Sequence, residues 1–116
     1  MSTPTTTISA DADLVTLVNV FTVAPERQIE LVDALDGATS EVFLAVPGFV
    51  SANLHVSLDG HRVVNYAQWT SEQRYKEALQ RPDVREHLAE AAAIAEAYDP
   101  TLVRVRSIHH PHGQQA

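Results

Sequence analysis

The chain has 116 residues, 45% hydrophobic and 20% charged, which is ordinary globular composition and enough for one domain with its own core. Cysteine is absent, which excludes disulfides, thiolate metal sites and cysteine nucleophiles together. A formal charge of −7 with eight scattered Lys and Arg leaves no basic patch for nucleic acid or an anionic membrane, so a neutral or hydrophobic small molecule is the expected partner.

Residues 1–13, MSTPTTTISADAD, are polar and Thr-rich, with neither a basic start nor an apolar leader core, and no later run is long enough to span a bilayer. A flexible amino-terminal segment and a cytoplasmic protein are expected. Residues 14–23, LVTLVNVFTV, are rich in β-branched residues and end at Ala24-Pro25, which predicts the first strand. Alternation puts Val15, Leu17, Asn19, Phe21 and Val23 on one face, so a single carboxamide interrupts an apolar row.

From Pro25, apolar residues recur at helical spacing through Ile29, Val32, Leu35, Val42 and Val46 until Pro47-Gly48, which predicts the first helix with a bend or break near Gly37. Residues 49–58, FVSANLHVSL, alternate cleanly, with Val50, Ala52, Leu54, Val56 and Leu58 on one face. Asp59-Gly60 then signals a hairpin into strand 61–69; a loop of two residues and one of three give opposite faces, and the sequence leaves that open. Within that strand Asn65 again stands in a row with Val63, Ala67 and Trp69.

Thr70 and Gln73 form a capping-box pattern before a short helix over 71–80, and Pro82 opens another whose stripe is Val84, Leu88, Ala91, Ala95 and Tyr98. After Asp99-Pro100, TLVRVRSI predicts the last strand, and HHPHGQQA at 109–116 reads as a flexible His-containing tail. The order strand, helix, strand, strand, helices, strand predicts an α+β domain over 14–108, with a ferredoxin-like antiparallel sheet and helices on one face. In that topology the first and third strands are neighbours, which brings Asn19 beside Asn65. The other sheet face, with Val18, Val20, Val64 and Tyr66, is semi-apolar and calls for a second subunit.

The PGF at 47–49, the NYAQW at 65–69 followed by SEQRY, and Asn19 on the first strand resemble the antibiotic biosynthesis monooxygenase family, and within it the cofactor-free anthrone oxygenases of aromatic polyketide pathways. The resemblance implies a homodimer of ferredoxin-like subunits, a dimeric α/β-barrel, with an aromatic-substrate pocket between each sheet and its own helices. It assigns catalytic positions to Asn19, Asn65 and Trp69, and pocket positions to Tyr75 and Arg85, with Arg81 an alternative to Arg85. It implies no cofactor and no metal, with molecular oxygen as co-substrate.

That chemistry suits such mild residues. Triplet oxygen reacts poorly with closed-shell molecules without a flavin, haem or metal, and no binding motif for one is evident. A deprotonated anthrone can itself give an electron to oxygen, the radicals combine to a hydroperoxide, and loss of water leaves a quinone. Two carboxamides in an apolar wall would steady the anion, and Trp69 offers a ring face and an indole donor. No side chain is an obvious strong base.

Other readings stand beside this one. A strand Asn is ordinarily a satisfied structural amide, and the two amides could bond each other; Trp69 alone reads as core. A reduced-flavin relative that opens or rearranges an angucycline-like ring, and a non-catalytic ligand-binding or interaction domain of the same fold, are the alternatives for function. Haem degradation, known in the superfamily, would need a helix Trp and His where Ala78-Leu79 and Ala89 stand. His55 and His87 are left outside the site, His55 because its side of the sheet depends on the hairpin loop.

Overall fold

The computed structural model describes residues 3–112. The β-branched run forms β1, Val15–Thr22, and the chain turns at Ala24 into a single 3-10 turn over Pro25–Arg27. The turn leads into α1, Gln28–Glu41, whose buried face carries Leu31, Leu35 and Ala38. Gln28 fixes the start of α1, because its Nε2 donates to the carbonyls of Ser57 at 3.1 Å and Arg62 at 2.9 Å.

No break occurs at Gly37, where a side chain would meet open space and no packing forces a bend. The helix ends at Glu41 instead, and a 3-10 turn over Phe43–Ala45 follows. Unwinding here lets Val42, Phe43 and Val46 all reach one core, which a continuous helix would spread around its circumference.

Strand β2, Phe49–Val56, and strand β3, Arg62–Trp69, form the expected hairpin, but Ser57 donates to the Arg62 carbonyl and leaves Leu58, Asp59, Gly60 and His61 in the loop. The loop is longer than either length read from Asp59-Gly60. Its closure sets Leu54 opposite Asn65 and Ala52 opposite Ala67, while His55 pairs with Val64 on the outer face.

A β-bulge between Phe49 and Ser51 breaks the clean alternation: Phe49 lies opposite Trp69, and Val50 is exposed rather than in line with Ala52 and Leu54. Gly48 prepares this turn. Its φ is +88°, its carbonyl accepts from Thr70 N at 2.8 Å, and an added Cβ would lie 2.4 Å from the Arg74 Cβ.

Helix α2, Glu72–Ala78, is capped by Ser71, not Thr70: the Ser71 Oγ accepts from Arg74 N at 3.1 Å because Ser71 is the extended residue at the boundary. Helix α3, Pro82–Ile94, opens at its proline and buries Val84 and Ala91. It stops well before Tyr98. Strand β4 is Ala97–Val103, beginning four residues earlier than expected and containing Pro100. The Glu96 N–H donates to the Thr22 carbonyl at 2.8 Å, so pairing with β1 overrides the helix-forming Ala-Glu run. Pro100 is tolerated because β4 is an edge strand.

The strand order is β2-β3-β1-β4, the ferredoxin-like arrangement, with the helices on one face. Asn19 and Asn65 are direct partners in the antiparallel register of β1 and β3. They divide the core. One cluster gathers around Trp69, Leu17, Val46 and Val84, the other around Phe21, Leu31, Val63 and Ala91.

On the outer face Gln68 and Thr16 are buried among polar neighbours. The Gln68 Nε2 donates to the Thr7 carbonyl at 3.0 Å, its Oε1 accepts from Ser51, and Thr6 bonds Asn53. Part of the amino-terminal segment is thus tied across the sheet although it forms no strand. Residues 1–2 and 113–116, where the expected tails end, lie outside the described residues.

Gly48→Ala combines a left-handed φ with a contact shorter than any real Cβ makes. It should cost about 2 kcal/mol or more, seen as a fall of several degrees in Tm by calorimetry. An unchanged Tm would show that Gly48 has no such constraint.

Candidate active site

The two core clusters do not meet, and a cavity of about 60 Å³ fills the gap between sheet and helices. Its floor is Asn19 and Asn65 with Leu17, Ala52, Ala67 and Trp69 from the sheet. Leu35, Ala38 and Thr39 of α1, Tyr75, Ala78 and Leu79 around α2, and Leu88 of α3 cover it.

Most lining residues are apolar, and the polar groups are unequally satisfied. The Thr39 hydroxyl is spent on the Leu35 carbonyl at 3.0 Å. By contrast, Asn19 Oδ1, Asn65 Oδ1 and Trp69 Nε1 are buried with no hydrogen-bond partner among the described residues. The adjacent amides therefore do not satisfy each other. Each unpaired group costs about 1–3 kcal/mol, which a domain of ordinary stability tolerates only a few times.

Trp69 is 1% exposed at the end of β3. Three rings meet its indole edge-on: Phe49 at 5.5 Å, Tyr75 at 5.7 Å and Phe43 at 6.2 Å between centroids. These contacts fix the plane of the indole. Burial raises the pKa of Tyr75, so its hydroxyl stays protonated and available as a donor.

The structure thus brings together Asn19, Asn65, Trp69 and Tyr75. Arg85 is not among them. Val84 takes the inward position of the first turn of α3, and one residue further the helix has rotated outward; Arg85 is exposed, donating to the Leu79 carbonyl and to Gln80 Oε1, both at 3.0 Å. It joins the end of α2 to α3. Arg81 is no substitute, since it is paired with Asp83 at 2.9 Å.

His87 lies away from the cavity beside Glu41 and Glu90, and His55 is on the outer face. The aromatic walls Phe43 and Phe49 were not anticipated; Phe49 stood in the PGF motif, but only the bulge turns it inward. Among the described residues no group of His, Cys, Asp or Glu is arranged to hold a metal ion, and no helix is long and apolar enough to cross a membrane.

A ferredoxin-like sheet with a mostly apolar cavity under its helices, floored by two unpaired amides and an indole, defines an α+β domain with a small-molecule site. Residues 14–90 match the antibiotic biosynthesis monooxygenase family, and the chain belongs to that family.

Over 81 residues it is 52% identical to tetracenomycin-F1 monooxygenase of Streptomyces glaucescens, covering 70% of this chain and 72% of that protein. The monooxygenase of the ActVA-Orf6 gene of Streptomyces coelicolor, solved with nanaomycin D, superposes with a TM-score of 0.74 at 32% identity, over 86% of this chain and 93% of that one. SnoaB of Streptomyces nogalater, described as a cofactor-independent oxygenase and solved as a variant, gives 0.73 at 30% identity over 84% and 97%.

Because the amides are unpaired, replacing one with an apolar side chain should relieve strain rather than break a bond. Asn65→Leu and Asn19→Leu are expected to keep or raise Tm by a few degrees, because two methyls take the places of the amide oxygen and nitrogen with the same number of heavy atoms. A fall of several degrees in both would mean that the amides are bonded inside the folded protein.

Proposed function

We propose that this protein is a cofactor-independent monooxygenase that oxidises a polycyclic aromatic polyketide of the anthrone or phenol type to a quinone. One observation carries the reading: two acceptor oxygens and one indole donor are unpaired around a mostly apolar cavity. A ligand that meets all three must bring hydroxyl donors and a carbonyl acceptor on an apolar frame. A hydroxylated anthrone is such a molecule. The monooxygenase names of the relatives support the same reading.

In the reaction, the methylene between two aryl rings loses a proton as the negative charge spreads through those rings into the carbonyl opposite it on the central ring. Trp69 Nε1 and the amide N–H groups of Asn19 and Asn65 hold that oxyanion, and the enclosed site strengthens each bond. The carbanion gives one electron to oxygen, the radical pair combines to a C–OOH bond, and loss of water forms the new C=O. One oxygen atom enters the product and the other leaves as water. All the electrons come from the methylene carbon, so no external reductant is consumed. Proton removal falls to water or to an amide oxygen, since the titratable groups near the cavity reduce to the Tyr75 phenol.

The second copy expected from the semi-apolar outer face belongs to the same proposal. Val18, Val20, Val64 and Tyr66 are only partly buried there. Light scattering should give about twice the chain mass of 12.7 kDa. A monomer at micromolar concentration would remove the dimer while leaving the site unaffected.

Dialysed protein given an anthrone under air should take up oxygen and develop quinone absorbance without added flavin or metal. Asn65→Ala and Asn19→Ala should each slow turnover by up to about 10²–10³, and the double variant should lose less than the product of the two. Trp69→Phe keeps the ring and removes the donor, so its loss reports the indole hydrogen bond. Turnover only with reduced flavin, or full turnover in the amide variants, would overturn the reading.

A further inference from the structure

The polar atoms surround a chamber that cannot hold a polycycle. An enclosed cavity of about 150 Å³ is what a single benzene ring occupies in an engineered protein core. Here the enclosed space is about 60 Å³, enough for the leading edge of one ring. The rest of any larger molecule has to lie elsewhere.

A second, more open recess of about 250 Å³ adjoins the chamber. Asn19, Phe21, Tyr75, Leu79 and Leu88 line both spaces, and Ala92, Tyr98 and Pro100 line only the outer one. Together the two reach the roughly 300 Å³ at which small-molecule sites begin.

The outer wall comes from β4, the strand that starts earlier than its sequence suggests. Pro100 lies opposite Asn19 in the β1–β4 register, and Tyr98 lies opposite Phe21, with ring centroids 6.1 Å apart. Tyr98 is 56% exposed, an aromatic face open to solvent beside an apolar hollow. Across from it α3 presents the methyl of Ala92, so the hollow stays open because that side chain is small.

We propose that this outer recess is a distal-ring subsite, in which Tyr98, Pro100 and Ala92 select substrates with rings beyond the one that reacts. This rests on the oxygenase reading above and adds the orientation of the molecule. The reacting edge points at Asn19, Asn65 and Trp69, and the remaining rings run outward between α3 and β4 over Phe21 and Tyr98. The subsite therefore discriminates by length, and the inner chamber by hydrogen bonding.

Trp69 is the only tryptophan, so quenching of its fluorescence reads binding without turnover. The probes are a two-ring hydroxynaphthoquinone and a four-ring hydroxytetracenequinone, and the quantity compared is the ratio of their dissociation constants. Wild-type protein should prefer the four-ring probe. Ala92→Phe fills the recess and should reduce that preference by at least about tenfold, while Tyr98→Ala, at a position 56% exposed, should reduce it about three- to tenfold.

A preference unchanged in Tyr98→Ala, or in a folded Ala92→Phe, would overturn the subsite and leave the oxygenase reading standing. Equal loss of both probes with an unaltered melt would also overturn it, since the two spaces would then act as one. Failure of both probes to quench the wild type would count against the oxygenase reading itself.

Discussion

The antiparallel pairing of β1 with β3 is the constraint on which the rest of the molecule depends. It sets Asn19 opposite Asn65 in the middle of the sheet, each between apolar residues of its own strand. Those two amides cannot join a hydrocarbon core, and they do not bond each other. The core accordingly closes on either side of them, around Trp69 at one end and around Phe21 and Leu31 at the other. The cavity is the space left between two cores that the amides keep apart. A site built in this way needs no special loop; it follows from placing two polar side chains where the fold would otherwise pack.

The arrangement sets stability against binding. Unpaired buried polar groups weaken the folded state, and the chain offsets them with edge-on aromatic contacts around Trp69 and with two well-packed clusters. The penalty is also what makes the groups useful. In the function proposed above, they have no internal bond to break, so a complementary hydroxyl or oxyanion would meet them without reorganisation.

The two faces of the sheet have different tasks. Toward the helices the polar groups are unsatisfied and few; on the outer side Gln68, Ser51 and Asn53 form a connected row that also fixes Thr6 and Thr7. The groups of this polar row beside Val18 and Val64 already have partners, unlike the amides on the helix side. The same residue type, a carboxamide, is thus left unpaired at Asn65 and bonded into the structure at Gln68 and Asn53.

The sequence by itself determined the features that depend on near neighbours. Alternation in β1 and β3 put Asn19 and Asn65 in apolar rows, the prolines at 25 and 82 marked where helical segments begin, and the element order selected the sheet topology. Local periodicity carries that information because strand and helix repeats are short. Tertiary structure decided what depends on distant partners. The hairpin loop length and the bulge at Val50 follow from the register of β2 on β3, and they turn Phe49 inward. Arg85 faces out because Val84 packs in, although the two adjoin in the chain. Most clearly, the alanine-rich run that favours helix unwinds at Ala95, since β1 has an open edge and Glu96 can bond Thr22 across it. A long-range strand pairing there outweighs a local preference of a few tenths of a kcal/mol per residue, roughly, and so places Tyr98 and Pro100 beside the cavity.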